Sequence, residues 1–453
     1  MKTGYAKTCI DPPLGTPIIG YYIPRFVKGV ADSLYARAVA FDDGKRRAVI
    51  IALDVCLLPQ KYYDAMKDAI VAATGIDRDA IFINCSHTHT GPLVGGDFAT
   101  RNRSSEEYDA LLVASVRDAV VQAFDNLRQS RFGVARAQAK NISFVRRYRM
   151  KDGSVATNPG VGNPGIDHAL GTPNETVSLV RIDREGADAV FMVNFGTHPD
   201  SVGGEYVSAD YPGVVCALLE RALPGVRCVF LQAPQGDVNH VNVHPSAGES
   251  ALSAIDFDGV PRSPALAEHM GRAIAGAVLS VCSIASPVTA DTLAYASRRV
   301  DLPSHQENDR LDEVRHIYEM YEAGRASELP FKEMALTTAV AEAKRIMRLE
   351  HGPASFPFLL SALRVGELAF AGTGGEPFTE IRNRIDAGSP FPNTIQCCLT
   401  NGAGGYIPTR AAYGEGGYET ASSSLKPGSD DILVDAMLGL LREVHAGRHR
   451  SPC

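Results

Sequence analysis

The stretch INCSHTHTGP (residues 83–92) sets two histidines, His87 and His89, one residue apart at the end of an apolar run. Residues 80–85 (AIFINC) read as a buried strand, and in extended geometry positions i and i+2 point to one side. Two imidazoles facing one way suit a metal ion or a proton relay; the plainer reading is a polar turn that holds two histidines. A second apolar strand, VFMVNFGTHPD (190–200), ends at His198-Pro199. Strands of one α/β sheet that end in histidine can converge on one site at the sheet's carboxyl edge. In ELAFAGTGGEPFTEI (367–381), Glu376 follows a Gly-Gly turn and is read as starting a helix. Charge complementarity to the helix dipole is the competing explanation there. Two or three histidines with a carboxylate make a catalytic zinc set that leaves a position for water. His240 and His244 in VNHVNVHP (238–245) are an alternative pair, read as loop histidines near the site. Asp54 ends the first strand and Asp210 follows VSA; each is either a partner of a ligand histidine or an ordinary strand-end polar residue.

The elements that must position these groups alternate between strand-like and helix-like patterns. Strands are expected at 46–55, 80–85, 131–138, 176–183, 189–197, 226–232 and 359–373. Helices are expected near 60–73, 104–127, 212–223, 264–282 and 430–446. This alternation implies an α/β fold, mixed β-sheets flanked by helices. Residues 309–350 differ, being charged and helically periodic, and read as a helical hairpin inserted into one catalytic domain spanning about 1–450. The sequence leaves the hairpin's role open between the pocket mouth and a subunit interface.

Bulk properties bound the function. The 453 residues are 45% hydrophobic and 21% charged with net charge −7, which argues for a sizeable core and against a basic face for nucleic acid. The nine cysteines are odd in number, form no CxxC pair and mostly sit in apolar contexts, as reduced structural thiols do. The N-terminus, MKTGYAKTCIDPPLG, has no apolar core of a signal peptide. The longest apolar tract, 273–288, is shorter than a membrane span and reads as a packed helix running into a loop. A cytoplasmic protein without stable membrane insertion is expected.

SHTHTGP, FGTHPD followed by VSADYPG, QGDVNHVN, GTGGEPF and GGYIPTRAAYGEGGYE, in this chain order, resemble the neutral/alkaline non-lysosomal ceramidase family. Bacterial relatives of unknown substrate also carry RRYRMKDG and a GNP turn, here at 146–164. The resemblance covers about residues 1–445. It implies a Zn2+ site made by His87, His198, Glu376 and Tyr406. It further implies His89 as a residue that supports the ligands or relays a proton, Tyr418 as a donor to a developing oxyanion, and Arg146 or Arg147 as the holder of a polar or anionic part of the substrate. Tyr418 lies twelve residues after Tyr406, the spacing of the family pattern. Where the family has a serine, this chain has Asn239, counted among the active-site candidates although an amide cannot form an acyl-enzyme. Hydrolysis by metal-activated water is therefore expected, on an amide of a small or polar molecule. The family's C-terminal β-sandwich is expected to be absent. The alternatives are an ester, lactone or glycosidic bond on the same zinc site, or a non-catalytic ligand-binding member of the fold. A small-molecule substrate is the expected partner, with a homo-oligomer left open.

Overall fold

The computed structural model describes residues 1–95, 103–306 and 309–447. Its larger sheet is built from β1 (Lys2–Cys9), β2 (Tyr35–Asp42), β3 (Arg47–Leu53), β4 (Ile81–Cys85), β5 (Arg128–Gln138), β6 (Thr176–Arg184), β7 (Ala189–Phe195) and β8 (Val226–Gln232). They run in the order β8-β7-β6-β5-β1-β2-β3-β4, and Ser286–Val288 adds a short strand against β5. Most neighbours are antiparallel, but β3 with β4 and β7 with β8 are parallel pairs. A smaller sheet holds β9 (Leu293–Pro303), β10 (Ser355–Val365), β11 (Leu368–Thr373) and β12 (Asn393–Cys397) in that order, with β11 and β12 parallel.

Strand β3 shows why the sequence folds in layers. Val49, Ile51 and Leu53 face one core cluster and Ala48, Ile50 and Ala52 another, the period of two that a pleated strand imposes. Both faces are buried, so the strand reads as a continuous apolar run rather than an alternating one. The first cluster packs against α1 (Gln60–Thr74) and α2 (Arg103–Asp125) through Tyr63, Met66, Leu112 and Val116. The second lies between the two sheets, where Ile50 and Met192 meet Leu363 and Phe370. The other half of the large sheet is covered by α3 (Asp210–Ala222) and α4 (Pro264–Val281). The far face of the small sheet is covered by Thr379–Gly388 and the C-terminal helix Ser429–His445. The result is four layers: helices, large sheet, small sheet, helices.

Residues 309–350 form the expected hairpin, α5 (Leu311–Glu322) and α6 (Glu333–Leu349), with its own apolar seam of Val314, Ile317, Val340 and Ile346. The apolar tract at 273–288 departs from expectation at its end. After Val281 and a short turn, Ser286–Val288 extends alongside β5 at its edge, a place where Pro287 is tolerated. Eight cysteines are free thiols, and Cys453 lies outside the described residues. No helix among the described residues is long and apolar enough to cross a membrane.

Candidate functional site

Each parallel pair ends by delivering chemistry to one place. After β4, the chain turns rather than continuing as a strand: His87 has φ 72°, a left-handed conformation that is uncommon for a side-chain-bearing residue and costs on the order of 1–3 kcal/mol. Backbone bonds enforce the turn, with His87 N–H donating to the Val55 carbonyl at 3.0 Å and His89 N–H to that of Pro199 at 3.1 Å. His87 and His89 do converge, Nε2 to Nε2 at 3.3 Å, but through this turn and not through strand pleating. His198 follows β7, and its N–H donates to the Val238 carbonyl at 3.2 Å.

Glu376 does not start a helix. It pairs as a two-residue parallel ladder, Glu376–Pro377 with Tyr406–Ile407, and the following helix begins at Thr379. The carboxylate and the phenol are thus placed by one ladder, Glu376 opposite Tyr406. The approach requires glycine: a Cβ on Gly375 would lie 2.9 Å from the Gly405 carbonyl oxygen, and one on Gly236 would lie 2.4 Å from that of Glu376.

The side chains meet closely. Glu376 Oε2 lies 3.2 Å from His87 Nε2 and 3.2 Å from His198 Nε2, and the Tyr406 hydroxyl lies 3.3 Å from His198 Nε2. The opposite ring nitrogens face backbone carbonyls: His87 Nδ1 is 2.9 Å from that of Cys56, and His198 Nδ1 is 3.0 Å from that of Gln235. A carbonyl only accepts, so each Nδ1 carries the proton and each neutral ring turns a lone pair on Nε2 toward Glu376. With both rings neutral these three atoms are all acceptors, the Tyr406 hydroxyl faces His198 Nε2 alone among them, and Glu376 Oε2 is buried without a hydrogen-bond partner. A divalent cation resolves that arrangement. Two carbonyl-anchored imidazoles with a carboxylate form a donor set suited to zinc, and the ligand atoms of His87, His198 and Glu376 all lie within 4.8 Å of one another. The residues present fit the metal.

Without a cation, the cluster must share a proton. Burial pushes the His87 pKa down, but Cys56 and Glu376 outweigh it and hold the imidazole well above its ordinary value. Burial, with Arg146 adding to it, pushes His198 down to about 4. Burial would raise Glu376, yet His87 and His198 hold its carboxyl well below the usual range. Burial and then Glu376 push the Tyr406 phenol up, against the pull of Arg146.

Around this centre lies a cavity of about 380 Å³ lined by His87, His89, Glu376, Tyr406 and Tyr418. Tyr418 packs edge-on to Tyr406, with ring centroids 5.6 Å apart. Behind His89 stands Asp200, its Oδ1 3.6 Å from Nδ1. Asp200 is held by Arg262 at 2.8 Å and by the Tyr21 hydroxyl at 2.5 Å. Burial and the neighbouring imidazoles keep His89 well below its ordinary pKa despite Asp200.

The two arginines separate in space. Arg146 has its guanidinium 5.3 Å from the Tyr406 ring and 5.9 Å from that of Tyr418, and its Nε is 2.6 Å from buried Glu419. It supports the tyrosines from behind and does not line the cavity. Arg147 instead donates to the carbonyls of Ala412 and Gly416 and stacks over Phe378. Asn239 is buried, its amide donating to Asn158 and accepting from Val241 N–H, and it too is absent from the cavity wall. His240 is tied to the Pro261 carbonyl at 2.8 Å and His244 donates its N–H to Asn242; neither belongs to the imidazole–carboxylate cluster. Asp54 pairs with Arg37 at 2.6 Å, and Asp210 caps the turn at Ser201 and Val202; neither contacts a ligand histidine.

Asp200, Tyr21, Tyr22, Arg25, Cys56 and Lys344 border or buttress the site unanticipated by sequence. Only Asp200, two residues past His198, carried a usable signal. Cys56 departs from the purely structural role expected of the cysteines, lining the cavity with Sγ 3.5 Å from His87 Nδ1.

No family model matches the chain. Among curated proteins it is similar to neutral ceramidase A of Dictyostelium discoideum, 23% identical over 250 residues. That match takes in 50% of this chain and 34% of the relative, about a third of that protein's length. Among solved structures it is similar to the neutral ceramidase of Pseudomonas aeruginosa, with TM-score 0.73 and 16% identity over 99% of this chain and 75% of the other. A ceramidase complexed with C2 gives TM-score 0.73 and 15% identity over 100% and 76%.

Proposed function

We propose that this chain, which has the α/β fold of the neutral ceramidases and resembles them in sequence, is a zinc-dependent hydrolase acting on an amide bond of a small substrate. The observation that carries the proposal is the convergence of His87 Nε2, His198 Nε2 and Glu376 Oε2 beside a cavity. His87, His198 and Glu376 would hold the ion, with the Tyr406 hydroxyl beside His198 as the fourth donor. When bound, zinc would supply a Lewis acid for a carbonyl and lower the pKa of a water molecule to about 7.

The remaining groups divide the other work. His89 is neutral, so its Nε2, 3.3 Å from His87, can accept a proton at the cavity floor and return it to a leaving nitrogen. Asp200, 3.6 Å from its Nδ1, is beyond hydrogen-bond distance and acts on that ring through its charge. Tyr418 is kept protonated by burial, and its O–H is a donor toward a carbonyl oxygen that gains charge. Arg146 and Glu419 hold the tyrosine pair in place. A cavity of about 380 Å³ sits at the small end of ligand pockets, roughly 300–1,000 Å³, which favours a compact substrate.

The test is turnover of a panel of small N-acyl compounds by metal-loaded and chelator-treated protein. Hydrolysis that falls with chelation and returns with zinc supports the proposal. Turnover indifferent to chelation, or none on any amide, counts against it.

A further inference from the structure

The helical hairpin supplies two residues to the cavity wall, Tyr321 from α5 and Lys344 from α6. The Lys344 ammonium lies 4.6 Å from the centroid of the Tyr321 ring and 5.7 Å from that of Tyr22. Those rings pack edge to face at 6.3 Å, and the Tyr321 hydroxyl donates to the Tyr22 carbonyl at 3.2 Å. Tyr22 in turn lines the same wall as Tyr418 and helps to raise its pKa. Lys344 is thus one aromatic residue removed from Tyr418 along a continuous wall.

What distinguishes Lys344 is its unused donors. Burial lowers its pKa, with Glu322 opposing through space and Arg348 adding to the effect, and the ammonium makes no ion pair or hydrogen bond with any other described residue. The other cation among the described wall residues, Arg25, is engaged: it donates to the carbonyls of Gly204, Ile19 and His89 and stacks on Tyr21 at 3.8 Å. Aromatic faces satisfy an ammonium only in part, whereas a carboxylate would receive charge-assisted hydrogen bonds from it. Away from the imidazole–carboxylate cluster, Ile19, Ile23, Leu57 and Leu93 give part of the wall an apolar surface.

We propose that the cavity takes an anionic substrate, a short N-acyl amino acid or similar amide, whose carboxylate pairs with Lys344 while its acyl group lies against the apolar wall. This deepens the hydrolase reading and rests on it for the placement of the amide. Its test is made by binding, so the two can fail separately.

Matched probes are N-butanoylglycine and N-butanoylglycinamide, which differ in charge and little in shape. Their affinities are measured by calorimetry on the zinc-supplemented full chain, for wild type, Lys344→Met and Lys344→Arg. Wild type should bind the carboxylate at least about tenfold more tightly than the amide. Lys344→Met should bring the two probes to the same affinity, and Lys344→Arg should restore a preference for the anion. Equal affinities in wild type, a preference that survives Lys344→Met, or binding of neither probe would overturn the proposal. A preference with the expected variant behaviour but no hydrolysis of either probe would sustain it and count against the amidase reading alone.

Discussion

Glu376→Gln should change the stability of the metal-free and zinc-loaded protein in opposite directions. In the metal-free protein the carboxylate faces two Nε2 atoms, each 3.2 Å away, and a buried charge pair must be maintained by a proton on His87. An amide nitrogen at the position of Oε2 has two N–H donors, one for each neutral imidazole. Each such bond is worth about 1 kcal/mol net, and replacing a buried ion pair by neutral groups is itself neutral to stabilising. The metal-free variant should therefore be about 1–2 kcal/mol more stable than metal-free wild type. Zinc reverses the order. At a free concentration about 1,000 times Kd, wild type gains about 4 kcal/mol. Loss of an anionic ligand should weaken binding by at least about 100-fold, the upper range for a mere supporting partner, which leaves the variant no more than about 1.4 kcal/mol at the same zinc. With an unfolding entropy of about 2.1 cal/mol/K per residue, 453 residues give about 1 °C in Tm per kcal/mol. Thermal unfolding with chelator and with zinc should show the two curves cross: the variant melts about 1–2 °C higher without metal and lower with it. Glu376→Ala, which offers no donor, should gain nothing without metal. A metal-free Gln variant that melts below wild type, with equal zinc shifts in both, would refute the reasoning.

Other perturbations separate the remaining roles. Tyr418→Phe should retain zinc and the fold but lower kcat by about 10²–10³, the usual loss of one oxyanion donor; full activity would remove that role. Glu419→Ala leaves the buried guanidinium of Arg146, 2.6 Å away, without its carboxylate, and should cost about 3–5 kcal/mol in urea unfolding. A loss near zero would mean that the Gly236 carbonyl, which accepts from Arg146 at 2.9 Å, and the tyrosine rings suffice. Lys67 is buried on α1, and burial lowers its pKa from 10.5 to about 8. The folded state thus carries the cost of a buried ammonium below pH 8, and that cost disappears as pH rises from 8 to 10.5. Lys67→Met should stabilise by about 1–3 kcal/mol at pH 7 and by little near pH 10.5; a gain that grows with pH would contradict this.

The sequence revealed those parts of the fold whose pattern is local. β3, β4, β7 and β8 are buried on both faces and announce themselves as apolar runs, and the hairpin of α5 and α6 follows from its helical period. β1, with KTGYAKTC, and β9, with LAYASRRVDLP, mix polar and apolar residues. Their strand state comes from pairing with distant partners, which no local pattern encodes. The site was legible as residue types at strand ends, but its geometry was not. His87 reaches His89 through a left-handed turn fixed by Val55 and Pro199, and Glu376 reaches Tyr406 through a two-residue ladder that glycines permit. Arg146 and Arg147, adjacent in sequence, could be told apart only once the chain had folded around Glu419. Tyr22 and Lys344 face one cavity from positions more than 300 residues apart, beyond the reach of any spacing argument.

The most direct test of the account is the zinc content of purified wild-type protein beside His198→Ala, after exhaustive dialysis without added metal. His198 is buried, its Nδ1 is anchored to backbone, and its Nε2 meets both Glu376 and Tyr406. The account predicts about one zinc ion per wild-type chain and little in a His198→Ala protein whose folding is verified by circular dichroism. Wild type without zinc, or a His198→Ala variant that keeps its full complement, would contradict it.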